Sequence, residues 1–301
     1  MSIDAAPAPA PSAAPLPSAE VPLGTVWSVV RTELYKQLRR PRTYTAYGLM
    51  ALIPVIMTVA LKASPPDGEG GRLMFLASQS GLFIPASALR VTSELMLVIV
   101  VAIFGGEAIA GEASWGNLRY LLMRPIPRMR LFIGKLLVAA FVSFVAVLVV
   151  ALVGLIAGAI AFGLHPIEIP AELALAFGRF FEPLTTVDVL LRLGFAVIFI
   201  TWTLMSIVAF SFMVGCMTDS TGGAIFAGIG LWMTWLILDQ IESLGRIRYA
   251  LPTHYSGDWA WIFTSGEWSA DLWRCALLTL AYVVAFVSFA AWWFRRKDVL
   301  S

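Results

Sequence analysis

Charge is scarce in this chain. Of its 301 residues only 13% are Asp, Glu, Lys or Arg, while 59% are hydrophobic. Soluble domains carry about a quarter charged residues. With a mean hydropathy of +0.83, the composition excludes an ordinary soluble protein and points to a multi-span membrane protein. The net charge of +2 is too small to suggest a nucleic-acid partner. Cysteine is limited to Cys216 and Cys275, predicted near opposite ends of two spans, so no disulfide is expected. Histidine is limited to His165 and His254. Neither has a Cys or His neighbour at metal-ligand spacing. An intramembrane hydrolase needs a nucleophile and a base within reach of each other. His254, Tyr255, Ser256 and Asp258 are neighbours in sequence, which does not make a triad. A phosphate-binding loop is also missing. Ile133–Leu136 reads IGKL, without the upstream Gly or the Ser/Thr that would cradle phosphate and Mg²⁺. No HExxH or GxSxG motif is present. The expectation is a chain that is not an enzyme and binds no cofactor or metal of its own. About forty residues precede the first apolar block, too many for the charged start of a signal peptide.

What is present is ordered along the chain. Residues 1–22 are Ala, Pro and Ser with hardly any charge, which predicts a disordered cytoplasmic tail. Residues 23–301 form the membrane region. Within 24–42, Val26, Val29, Val30, Leu34 and Leu38 share a helical face opposite Arg31, Glu33 and Lys36. This predicts an amphipathic helix in the cytoplasmic leaflet, pinned by Arg39, Arg40 and Arg42. Apolar runs then predict spans at 44–62, 91–109, 131–162, 189–217, 223–238 and 272–294. Residues 74–89 are apolar too and are expected to re-enter the membrane or lie flat on it. Glu94 and Glu107 flank the second span and read as headgroup-level residues. Gly154 and Gly158 make a GxxxG pair permitting close helix approach; Gly223/Ala227 and Ala224/Gly228 are further small-residue pairs. Trp232 and Trp235 are expected at the outer interface, and Arg192 is expected to snorkel there. Six spans put both termini and every basic cluster, including Arg295–Lys297, on the cytoplasmic side.

The stretch from Glu107 to Lys135 lies between two apolar blocks and carries Arg119, Arg124, Arg128, Arg130 and Lys135. Cations between two spans mark a cytoplasmic connection. Gly111 and Gly116 allow a bend, Trp115 to Met123 can form a short amphipathic helix, and Pro125 and Pro127 end it. This stretch resembles the membrane subunits of type-2 ABC transporters. The resemblance rests on Glu112, Gly116, Leu118, Leu121, Leu122, Pro125, Arg128 and Lys135. Asn117 stands where that family commonly has Thr.

The resemblance implies an all-α integral membrane permease of the cell membrane, with six transmembrane helices. Separate ABC ATPase subunits would carry ATP and Mg²⁺, and a second permease subunit, identical or related, would complete the path. It implies a coupling helix between spans two and three, with Glu112, Gly116, Leu118, Arg119 and Arg124 as the ATPase-coupling residues. Glu112 and Arg119 would pair with charges on the ATPase, and Gly116 would set the bend. The 24–42 helix would border the same contact; on physical grounds alone it is equally a lipid-surface anchor. The implied activity is ATP-driven export of a hydrophobic or amphipathic substrate. Two other classes stand against it. An ion- or proton-driven carrier would usually place charges at midplane or show broken helices with internal repeats. A non-transport membrane scaffold or enzyme would work without an ATPase.

Overall fold

The computed structural model describes residues 25–64, 72–113, 127–165, 185–263 and 271–296. The predicted tail, most of the predicted coupling helix (114–126), much of the 165–188 loop and Lys297 lie outside these residues. Among the described residues the protein is helical, with no strand. In chain order the helices are α1 (Val26–Leu38), α2 (Pro41–Ala63), α3 (Arg72–Gln79), α4 (Ile84–Ser93), α5 (Met96–Ala113), α6 (Arg128–Phe162), α7 (Thr186–Met217), α8 (Thr221–Gln240), α9 (Pro252–Tyr255) and α10 (Asp271–Arg296). Short 3₁₀ turns occupy Gly81–Phe83, Glu242–Ala250 and Asp258–Phe263.

Among the described residues, five helices are long and apolar enough to cross a membrane: α2, α6, α7, α8 and α10. A bent helix pair has the form of either a broken span or a re-entrant loop. The Gly81–Ser93 segment and α5 together satisfy the same test but meet at 62°. The sequence predicts one straight span over 91–109; the helix instead breaks at Glu94 and Leu95. The cause is local. The Glu94 carbonyl accepts a hydrogen bond from Trp232 Nε1 at 2.8 Å. A side chain inserted at a backbone carbonyl is a recognised source of a sharp bend. Residues 74–89, expected to re-enter the membrane or lie flat on it, pack into the bundle over their second half. Ile84 to Leu89 are buried, and Ser87 Oγ donates to the Leu73 carbonyl, folding α3 back on α4.

α7 is the central post. In its most apolar window 61% of residues are buried inside the bundle, against 17% for α10. α7 packs on α5 and α10 and also touches α6 and α8. Its start is fixed by a reciprocal cap: Asp188 N donates to Thr185 Oγ1, and Thr185 N donates to the Asp188 carboxylate. α10 is peripheral. Trp273, Leu277, Leu280 and Val284 recur at helical spacing and are all exposed, forming an apolar stripe directed away from the bundle.

Small residues set the closest approaches. A Cβ on Gly158 would lie 2.3 Å from the Gly81 carbonyl oxygen, and one on Gly154 would lie 2.9 Å from the Pro85 Cα. The GxxxG pair therefore seats the α4 entry against α6. Gly163, at φ +77°, ends α6, and its carbonyl accepts from Gly81 N at 3.0 Å. Gly228 abuts Ser211 and Ala102, so the Ala224/Gly228 pair packs within the bundle.

Two expectations for the aromatic and basic residues are corrected. Trp232 and Trp235, expected to anchor in lipid headgroups, have their side chains buried within the bundle, where Trp235 lies 4.9 Å from the Tyr282 ring. Arg192 does not simply reach toward solvent. Its guanidinium donates to the Ile262 carbonyl and ties the 258–263 turn to α7.

Candidate functional site

The bundle has two polar ends. One carries α1, the end of α5 and the start of α6; the distal end carries the turns between Glu242 and Phe263.

At the α1 end the chain needs α1 to come close to α6. Gly134 provides the room, since a Cβ there would meet Val29 Cγ1 at 2.7 Å. Thr25 caps α1 by accepting from Ser28 N, and Thr43 Oγ1 donates to the Gln37 carbonyl across the α1–α2 corner. These contacts place Glu33 and Lys36 against Lys135 of α6 and Glu112 of α5.

The four charges form one cluster. Lys135 Nζ lies 2.8 Å from Glu33 Oε2 and 2.8 Å from Glu112 Oε2. Lys36 Nζ lies 2.7 Å from Glu33 Oε1 and 3.6 Å from Glu112 Oε1. The Lys135 side chain is only 3% exposed. The Glu112 contact is ionic and not a well-directed hydrogen bond: among the described residues, its buried Oε2 accepts none. Two acids and two bases cancel, which is the condition for keeping charge out of water. At Glu33, burial is the largest single influence and opposes ionisation. The charges and hydrogen bonds of Lys135 and Lys36 together outweigh it and hold the carboxyl below its ordinary value. A second pair sits beside the cluster: Arg42 Nη1 donates to Glu107 Oε1 at 2.6 Å.

Of the predicted coupling residues, only Glu112 is described. It is 8% exposed and turned inward to Lys135 and Lys36. Its charge is therefore engaged within the chain, where the sequence reading directs it toward a partner. Gly116, Leu118, Arg119 and Arg124 lie outside the described residues. What the sequence reading missed is the role of Glu33, Lys36 and Lys135. A visible signal was available: a Lys inside an apolar run demands a buried acid, and few acids exist to supply one.

The distal end is tied by a separate set of charges. Asp239 Oδ1 lies 2.6 Å from His254 Nδ1 and 3.5 Å from Arg248 Nε. His254 is flanked edge-on by Tyr249 and Tyr255. Arg90 pairs with Glu94 beside the bend. No group of His, Cys, Asp and Glu among the described residues has a geometry that would hold a metal. Cys216 and Cys275 are buried.

These elements define an all-α bundle with helices long and apolar enough to cross a membrane, whose first helix is locked by ion pairs to the two helices that flank residues 114–126. Residues 50–300 match the family model described as "Protein of unknown function (DUF2705)", and the chain belongs to that family. No curated protein matches the chain.

Proposed function

We propose that the chain is the membrane-spanning subunit of an ATP-driven transporter, an exporter of hydrophobic or amphipathic substrate in the cell membrane. Separate ABC ATPase subunits bind ATP and Mg²⁺, and a second permease subunit completes the path. In this reading six spans, counting the bent Gly81–Glu112 pair as one, place both termini and residues 114–126 in the cytoplasm.

The observation that supports it is the Glu33–Lys36–Glu112–Lys135 cluster. Glu112 precedes the segment carrying Gly116, Leu118, Arg119 and Arg124, and Lys135 follows it. Both are joined to α1 through Glu33 and Lys36. A push on that segment by a closing ATPase reaches α1, α5 and α6 together, because the three helices share one cluster in which each carboxylate contacts both lysines. Glu112 then transmits force from within the chain, and Arg119 and Arg124 are the residues left to meet the partner.

The test is purification of the chain from its native membrane in mild detergent. The expected result is an associated subunit that hydrolyses ATP. Arg119→Glu with Arg124→Glu should release it while the thermal midpoint of the chain stays unchanged. Single cysteines at Arg119 and Trp261 should label from opposite sides of the membrane. Isolation of the chain without any ATP-hydrolysing partner, or exterior labelling at Arg119, overturns the reading.

A further inference from the structure

The distal end encloses a cavity of about 290 Å³ between the α4–α5 bend, α7, α8 and the turns that follow α8. Small-ligand sites are typically about 300 Å³ or larger, so this volume suits a small organic group. Its charges can be assigned pair by pair. Arg90 is taken by Glu94, and Asp239 is taken by His254 and Arg248. One lining carboxylate remains. Asp258 makes no ion pair or hydrogen bond among the described residues, and Arg90 and His254 act on it only at longer range. Every lining cation is already paired, so the uncompensated charge facing the cavity is negative.

Two further observations point to an occupant. Thr253 lines the cavity and is 6% exposed, yet its Oγ1 has no hydrogen-bond partner among the described residues. Buried hydroxyls ordinarily have one. Two indoles also line the space. Trp232 is held rigidly by its bond to Glu94, and Trp261 is 52% exposed. An indole face attracts a cation within about 6 Å, most strongly a substituted ammonium group.

We infer that this cavity is a binding site for a substituted ammonium group, with Asp258 as its counter-ion, Trp232 and Trp261 as its walls, and Thr253 as a polar contact. An anionic ligand would face an unpaired carboxylate and is disfavoured. A neutral apolar one would leave the half-buried Asp258 without a counter-ion and the buried Thr253 hydroxyl without a partner. Burial raises the Asp258 carboxyl above its ordinary value, with the Asp271 charge adding to the effect; a bound cation would relieve that cost. The ammonium group belongs to a soluble amine or to a lipid headgroup. The site needs no ATPase partner to bind its ligand, so it stands apart from the coupling proposal.

The test is calorimetric titration of the full chain in nonionic maltoside micelles with benzyltrimethylammonium. Saturable binding is expected, together with none for the neutral isostere neopentylbenzene or for benzenesulfonate. Asp258→Asn should weaken binding about tenfold or more, the loss of the counter-ion to a cation that has no N–H to donate. Trp261→Ala should weaken it about two- to fivefold, and because that side chain is exposed the variant keeps the test open if Asp258→Asn fails to fold. Displacement by a short-chain phosphocholine lipid assigns the group to a headgroup; failure to displace assigns it to a soluble amine. Absence of saturable binding, equal binding of the neutral isostere, preference for the anion, or unchanged affinity in both variants overturns the assignment.

Discussion

Glu112 and Lys135 stand 2.8 Å apart, one on each side of the 114–126 segment. The pair therefore ties α5 to α6, and Glu33 binds the same ammonium from α1. Removing Lys135 would leave two carboxylates with only the half-exposed Lys36 between them. Lys135→Met is expected to destabilise the bundle by about 3–5 kcal/mol, the cost of leaving a buried charge unmatched. Thermal unfolding in detergent measures it. Combining it with Glu112→Gln should cost less than the sum of the two single changes, with a coupling of roughly 0.5–3 kcal/mol. Strict additivity would show that the two groups do not interact.

Acidification should weaken the same cluster. Glu33 has a folded-state pKa below its ordinary 4.5, because the two lysines outweigh burial. A depressed carboxyl pKa gives stability that is fully present above the unfolded value and is lost as pH falls through the folded value. The thermal midpoint should hold down to about pH 4.5 and decline below it. In Glu33→Gln the neutral-pH midpoint should be lower and the acid limb shallower. An unchanged acid limb in that variant would sink the assignment.

The two glycine approaches should respond differently to one added methyl. In Gly158→Ala the new Cβ meets the backbone carbonyl oxygen of Gly81 at 2.3 Å, which moves only if the α4 entry moves. In Gly228→Ala it meets Ser211 Oγ at 1.9 Å, the rotatable end of a side chain. Ser211 Oγ has no partner to lose among the described residues. Gly158→Ala is expected to cost about 1–3 kcal/mol, the range for overpacking, and Gly228→Ala less. Paired unfolding curves check the order.

Trp232→Phe keeps the ring in the core and deletes the 2.8 Å bond to the Glu94 carbonyl. The expected loss is about 0.5–1.5 kcal/mol. Hydrogen exchange should quicken at the amides just after the bend, from Val98 onward, while the middle of α7 stays protected. Equal protection throughout would mean that the indole does not hold the break.

Much of the architecture was readable because membrane helices declare themselves by length and apolarity. The expected spans 189–217, 223–238 and 272–294 correspond to Thr186–Met217, Thr221–Gln240 and Asp271–Arg296, differing only by the polar cap residues at each end. Long-range pairing was not readable. Glu33 and Lys135 are 102 residues apart, and Trp232 and Glu94 are 138 apart. No local period reports such meetings. Trp232 and Trp235 misled for a related reason. Tryptophan near a helix end suits an interface, but the turns at 242–263 cover that end and draw both rings inward. Glu112 reads in the sequence as an ATPase-coupling residue; its ion pair with Lys135 joins two members of the same motif, while Lys36 on α1 lies far outside it.

The length of α6 has a mechanical consequence. Its 35 residues extend roughly 52 Å at 1.5 Å per residue, well beyond a hydrocarbon layer of about 30 Å. Its distal foot is anchored by glycine contacts to the α4 entry, and its other end carries Lys135. A tilt of about 5° about that foot swings the opposite tip by roughly 4–5 Å. An angular change too small to disturb the distal packing thus becomes a displacement of about 3 Å at Lys135, which lies roughly 34 Å along the helix from Gly158.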